Sequence, residues 1–275
     1  MQAQLRRTDA VPSALVEARL TFANRALEKP FVYLGPAPQG APCESATYRM
    51  CVVQIESGRS AFSGASLDVE GFALAHHRLA LGDVQDGKEF SGRGYDEAAE
   101  LVRQATGAAR VVTFDHLVRK RPRAGSMAVQ PGSRVHVGYT QASGRHRVRD
   151  LLGWRTAMLG GRRAAIINVW RPISHPACDL HVAVCDARTV APEDLVPTDV
   201  RCAGQIGEVC YVAHNDAQRW VYVPDLRPDE ALMFKCWDSS PTVAGCVPHA
   251  AFEDRSLPLQ APQREGVEFR TLALY

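Results

Sequence analysis

No two of the eight cysteines stand as a Cys-x-x-Cys pair; Cys43, Cys51, Cys178, Cys185, Cys202, Cys210, Cys236 and Cys246 are scattered. That spacing offers neither a zinc knuckle nor a dithiol redox motif and predicts reduced, buried thiols. There is no apolar run of the ~20 residues that a membrane-spanning helix needs. The polar start at 1–9 has no apolar signal region, so a cytoplasmic protein is expected, with no membrane partner. A net charge of +2 is too small to argue for a nucleic-acid polymer as partner, and none is expected. Internal repeats, low-complexity segments and a convincing linker are also missing. The 275 residues therefore read as one domain, whose oligomeric state the sequence leaves open.

What is present is mostly β-type pattern. Apolar residues at roughly helical spacing predict a helix over 11–26, and Tyr95 to Thr106 reads as the clearest helix, with Ala98, Leu101, Val102 and Ala105 on one face and Gly107 at its end. A further short helix is predicted over 148–158. Strands are predicted at 31–34, 48–55, 72–75, 111–114, 134–140, 164–170, 182–185, 209–213, 220–223, 231–237 and 267–274. Many short strands with turns between them suggest a barrel or jelly roll. The expected arrangement is an N-terminal mixed α/β portion (about 1–125) packed on a jelly-roll core (about 126–275).

The chemistry centres on Val135-His136-Val137-Gly138-Tyr139-Thr140. A facial-triad iron site takes two histidines and one carboxylate and leaves three positions open. His-x-Asp on a strand supplies two of these ligands, because residues two apart share a face. Here the carboxylate position is Gly138. His249 is the candidate second histidine, preferred over His214, because Arg264 follows it just before the last strand. A jelly roll would bring the His136 and His249 strands together at its mouth. Arg264 could then grip the far carboxylate of 2-oxoglutarate through a charge-assisted pair. Asn168, on the apolar strand, is a further candidate cofactor contact.

The segments His136-Val137-Gly138-Tyr139-Thr140, Ile167-Asn168-Val169-Trp170-Arg171-Pro172, Phe234-Lys235-Cys236-Trp237-Asp238-Ser239 and Pro248-His249-Ala250-Ala251-Phe252-Glu253-Asp254 resemble, together, the iron(II)/2-oxoglutarate-dependent oxygenases that include the cephamycin methoxylation protein CmcJ and fungal hydroxylase/desaturases. The resemblance implies a double-stranded β-helix (jelly roll, cupin-like), with Fe(II), 2-oxoglutarate and O2 as the reacting set. Two departures stand out. Gly138 replaces the usual Asp, and Arg264-Glu265-Gly266 replaces an Arg-x-Ser that would add a hydroxyl beside the arginine.

Halogenases of this chemistry also lack the carboxylate, and the reason is physical. Loss of the side chain removes one ligand and one negative charge, and chloride restores both. The leading expectation is thus an iron(II)/2-oxoglutarate-dependent halogenase with chloride at Gly138. The alternatives are a hydroxylase or desaturase in which another carboxylate (Asp150 and Asp238 are available) or water fills the position, and a metal-free, non-catalytic binding relative. The chain resembles nucleotide halogenases of chlorinated nucleoside antibiotic pathways. That resemblance implies a small nucleotide substrate, 2′-deoxyadenosine monophosphate, chlorinated at C2′. The basic runs at 119–123 and 145–149 fit a phosphate, though such runs are also ordinary solvated faces. Tyr139, Thr140, Arg147, Arg171 and Trp237 are the candidate substrate contacts.

Overall fold

The structure, a computed structural model, describes residues 14–77, 89–120, 134–153, 161–178, 180–202, 205–253 and 264–275. In chain order the strands are β1 (Ala14–Ala23), β2 (Phe31–Tyr33), β3 (Tyr48–Ser57), β4 (Phe72–His76), β5 (Arg110–Lys120), β6 (His136–Val137), β7 (Ala164–Pro172), β8 (Leu180–Cys185), β9 (Leu195–Cys202), β10 (Gln205–Val212), β11 (Trp220–Tyr222), β12 (Glu230–Asp238), β13 (His249–Glu253) and β14 (Glu265–Leu274). The helices are α1 (Arg93–Thr106) and α2 (Gln141–Leu152). One sheet runs β1-β3-β11-β8-β13-β6-β10-β9-β2 and the other β4-β12-β7-β14-β5. Together they form a jelly roll. Among the described residues no helix is long and apolar enough to cross a membrane.

Strand β7 shows why the core sits between the sheets. All its residues are buried. Ile166 and Trp170 face the interior with Phe234 and Leu272, while Ile167 and Val169 pack on the opposite face with Leu101 and Val102 of α1. A strand covered on both faces needs continuous apolar sequence rather than alternation. Helix α1 closes as predicted, with Gly107 at φ 67°, a left-handed position that costs glycine nothing.

Three local expectations change. The segment predicted as a helix over 11–26 is strand β1, paired antiparallel with β3 along its whole length. Its buried residues Ala18, Leu20 and Phe22 recur every second position; exposed Leu15 on the opposite face blurred that period. The helix predicted over 148–158 starts earlier, at Gln141, and 154–160 lies outside the described residues. Its start is set by a capping box rather than an apolar stripe. Thr140 Oγ1 accepts from the Ser143 backbone N–H at 3.1 Å, and Ser143 Oγ accepts from that of Thr140 at 2.9 Å. The strand predicted over 134–140 is therefore cut to His136–Val137. Strand β9 was not foreseen; Pro197 inside it argues against a strand from sequence alone.

The N-terminal portion does not form a layer of its own: β1, β2 and β3 join the nine-stranded sheet, and β4 and β5 the five-stranded one. The cysteines also divide. Cys185, Cys210 and Cys236 are buried, whereas Cys43 and Cys202 are exposed.

Candidate metal centre

Strand β6 contributes two residues to the ladder, but its register determines the site. His136 pairs directly with His249 of β13, and Val137 with Cys210 of β10. Alternation sends Val135 and Val137 to one core and turns His136 to the opposite face, so the two imidazoles meet with ring centroids 4.4 Å apart. Phe234 of β12 packs on His249 at 4.5 Å.

Both rings are oriented by backbone. His136 Nδ1 lies 2.9 Å from the Arg134 carbonyl oxygen, and His249 Nδ1 lies 3.0 Å from that of Val247. A carbonyl can only accept, so each Nδ1 carries a proton, and in the neutral ring that puts the lone pair on Nε2. This is the tautomer a metal-ligating histidine needs.

Gly138 follows two residues on, before the chain turns into α2. Its φ lies outside the left-handed range, and a Cβ built there would meet only Cys236 Cβ and Sγ, both at 3.9 Å. That is ordinary van der Waals contact, so neither backbone geometry nor crowding requires glycine. Burial pushes the Cys236 thiol up, so the wall facing Gly138 is a neutral thiol. Among the described residues no group of three His, Cys, Asp or Glu side chains could hold a metal. The other acids considered are occupied elsewhere. Asp238 is fully buried against Lys235 (2.8 Å) and Arg163 (2.7 Å), and Asp150 is exposed on α2. The rival histidine, His214, packs edge-on against Phe22 instead.

Arg264 is buried at the start of β14. Its Nη1 donates to the Leu180 carbonyl at 3.3 Å, and its guanidinium stacks 4.4 Å from the Trp170 ring centre. Leu180 opens β8, whereas His249 pairs with Val184, four residues along. The cation thus lies roughly 13 Å along the strand direction from the histidine pair. Asn168 shares the inward face of β7 with Trp170; it is buried, and its Oδ1 has no hydrogen-bond partner.

Tyr139 and Arg147 lie together, with companions the sequence did not single out. Arg147 stacks over Phe114 at 4.9 Å and lies close enough to act on the Tyr139 phenol. Arg270, ion-paired with Asp115 at 2.8 Å, lies close enough to act on both Tyr139 and Cys236. Burial raises the Tyr139 phenol against the opposing pull of Arg270. Of the 145–149 run, Arg145, His146 and Arg149 are exposed; Arg147 alone is half-buried. Arg119 to Arg123 has no described side chains.

Three further candidate substrate contacts are engaged within the protein. Thr140 caps α2 and also bonds Glu208. Arg171 points to the opposite face of β7, where it donates to the carbonyls of His77 and Pro228, both at 2.7 Å, and burial pulls its guanidinium down to about 10. Trp237 is buried under α2, against Gly144. Cys236 was missed because a bulge between Lys235 and Trp237 breaks the alternation that would have assigned it a face.

Two imidazoles paired across strands, in the same interior as a buried guanidinium, suit the class of mononuclear non-haem iron enzymes. The residues fit iron(II) and a keto diacid: His136 and His249 would hold the metal, and Arg264 the distal carboxylate. Comparison with known proteins gives the same class. A family model described as an oxidoreductase/YMDC permease-like domain matches residues 20–274. The α-ketoglutarate-dependent dioxygenase phiK of a fungal species is 32% identical over 226 residues, covering 76% of this chain and 79% of phiK. The Fe(II)/2-oxoglutarate-dependent dioxygenase nvfI of Aspergillus novofumigatus is 29% identical, covering 80% and 82%. A solved structure of a variant of the iron and α-ketoglutarate-dependent endoperoxidase NvfI superposes with a TM-score of 0.88 at 25% identity, covering 98% of this chain and 99% of that one. The chain belongs to this family of iron(II)- and 2-oxoglutarate-dependent oxidoreductases.

Proposed function

We infer that this enzyme is a halogenase that chlorinates an unactivated C–H bond of a small anionic substrate, a nucleotide such as 2′-deoxyadenosine monophosphate. The observation that carries the reading is the space at Gly138. The fold tolerates a Cβ there, yet the chain supplies none, and among the described residues no Asp or Glu completes a three-ligand group with the histidine pair. An anion from solution would complete the charge and the coordination, and chloride does both. When bound, iron with 2-oxoglutarate, oxygen and chloride supplies hydrogen abstraction and chlorine transfer.

The chain's own part is placement. His136 and His249 would hold the metal through Nε2. Arg264 would anchor the diacid in the apolar interior lined by Phe234, Trp170 and Val184, where water would be excluded. Arg147 with Tyr139, on the Gly138 side, offers a donor pair for a phosphate, and Phe114 beside them offers a ring face for a base.

Hydroxylation or desaturation is the second reading, favoured by the relatives. A hydroxylase/desaturase, efuI of Hormonema carpetanum, is 29% identical and covers 83% of this chain. Turnover with iron(II), 2-oxoglutarate and oxygen, at low and high chloride, against nucleosides and nucleotides separates the two. A chlorinated product supports the first reading. Hydroxylated or dehydrogenated product alone at high chloride establishes the second.

A further inference from the structure

Trp170 is almost fully buried on the inward face of β7, and its indole Nε1 has no hydrogen-bond partner. A buried donor without an acceptor loses the hydrogen bond it had to water, and the surroundings of this one suggest an acceptor for it. Two neighbours, at and just before the start of β14, point to one. Gly266 lies directly beneath the ring: a Cβ added there would meet Trp170 Cζ2 at 2.6 Å and Cε2 at 3.1 Å. These two atoms form the ring edge next to Nε1, so the glycine admits the N–H side of the indole into the space a side chain would take. Arg264, two residues earlier and just before β14, stacks its guanidinium 4.4 Å from the ring centre.

A carboxylate has two oxygens and about four acceptor sites, and one guanidinium face leaves part of that capacity unused. We propose that Trp170 Nε1–H and Arg264 together form the distal-carboxylate subsite of the keto acid, and that Gly266 is there to let the indole reach it. The inference rests on the assignment of 2-oxoglutarate to this interior. The indole N–H adds a neutral, directional donor to the cation, in a place where a side chain on residue 266 would otherwise stand. The subsite then selects diacids over keto acids that lack the far carboxylate.

The test is binding, not turnover. Iron(II)-loaded protein is titrated without oxygen with 2-oxoglutarate, and separately with 2-oxovalerate, which keeps the chelating end and lacks the distal carboxylate. The visible charge-transfer band and calorimetry give both dissociation constants. Trp170→Phe keeps a ring over Arg264 and deletes the N–H; it should weaken 2-oxoglutarate about tenfold and leave 2-oxovalerate unchanged. Benzothienylalanine at position 170 keeps the indole's shape without the N–H and should do the same even where the Phe variant folds poorly. In the Trp170→Phe/Gly266→Ser double variant the clashing ring edge is gone and a hydroxyl is supplied, so 2-oxoglutarate affinity should recover. Equal loss for both acids, or no loss, overturns the role of Trp170 while leaving the cofactor assignment standing. Absence of any band with either acid in the unsubstituted protein overturns that assignment and this subsite with it.

Discussion

His136 and His249 occupy opposed positions in the β6–β13 pair, and each ring is held through Nδ1 by the carbonyl of the residue two positions before it. The same local device is used twice, from two strands more than a hundred residues apart in sequence. Loss of an outer partner to a metal-bound histidine costs about 10–100-fold in affinity, so loss of the ring itself should cost more. His136→Ala and His249→Ala should each retain less than about 1% of the iron(II) affinity. The equivalent change at His214, packed on Phe22, should leave iron binding intact. Metal analysis after desalting checks all three; iron retained at full occupancy in either site variant would displace the assignment.

At Gly138 the contact distances make the expected result specific. A Cβ meets Cys236 at 3.9 Å, so Gly138→Ala should fold normally, with a melting temperature within about 2 °C of the parent, and should keep its halide position. Gly138→Asp should also fold and bind iron, but should lose chlorination because the carboxylate takes the place of chloride. Product analysis by mass spectrometry decides it. Chlorination that survives in the Asp variant would mean the halide binds elsewhere.

Close approach of α2 to the core depends on Gly144, where any Cβ would collide with the Trp237 indole. Trp237 is only 2% exposed and has nowhere to retreat. Gly144→Ala should therefore destabilise the protein by about 1–3 kcal/mol, despite alanine's better helix propensity. Urea unfolding measures this, and a stabilised Ala variant would show that the helix can lift without penalty.

Lys235 lies in the middle of β12 with its ammonium 2.8 Å from Asp238 and 2.9 Å from Asp68, and both Lys235 and Asp238 side chains are fully buried. Asp238→Asn would leave the buried ammonium undercompensated and should cost about 3–5 kcal/mol, seen as a lower midpoint in denaturant.

Asp68, at the edge of this network, gives a pH signature. Hydrogen bonds from Arg163, with help from Lys235, hold its carboxyl at about 2 against the ordinary 3.8. Its folded pKa is depressed, so its contribution to stability is present above 3.8 and is lost as the pH falls towards about 2. The side chain is half exposed, which keeps the effect below ~1 kcal/mol. Asp68→Asn should flatten the stability profile across that window; an unchanged slope would assign the acid sensitivity to other carboxylates.

How much was legible in the sequence follows from the range of the forces involved. Helix α1 could be read because its apolar face and its Gly107 stop are local. Strands β3, β7, β11 and β12 announced themselves through apolar or β-branched runs. Strand β1 was misread because one face of it carries exposed Leu15, so hydrophobicity and burial disagree there. For α2, the Thr140–Ser143 cap was present in the sequence as Thr-x-x-Ser, but the helix has too narrow an apolar face to be recognised by period.

By itself, the amino-acid sequence determined the chemical inventory: a histidine followed two residues later by glycine, a second histidine far downstream, and an arginine before the last strand. It also determined that Arg171 alternates away from Asn168 and Trp170, since residue parity along a strand is a covalent fact. Only the tertiary structure decided which of these residues meet. Strand register set His136 against His249, a bulge turned Cys236 toward Gly138, and close packing placed the Trp170 ring edge over Gly266. Those outcomes depend on pairings between distant segments, where a shift of one residue reverses every side chain, and no local pattern encodes them.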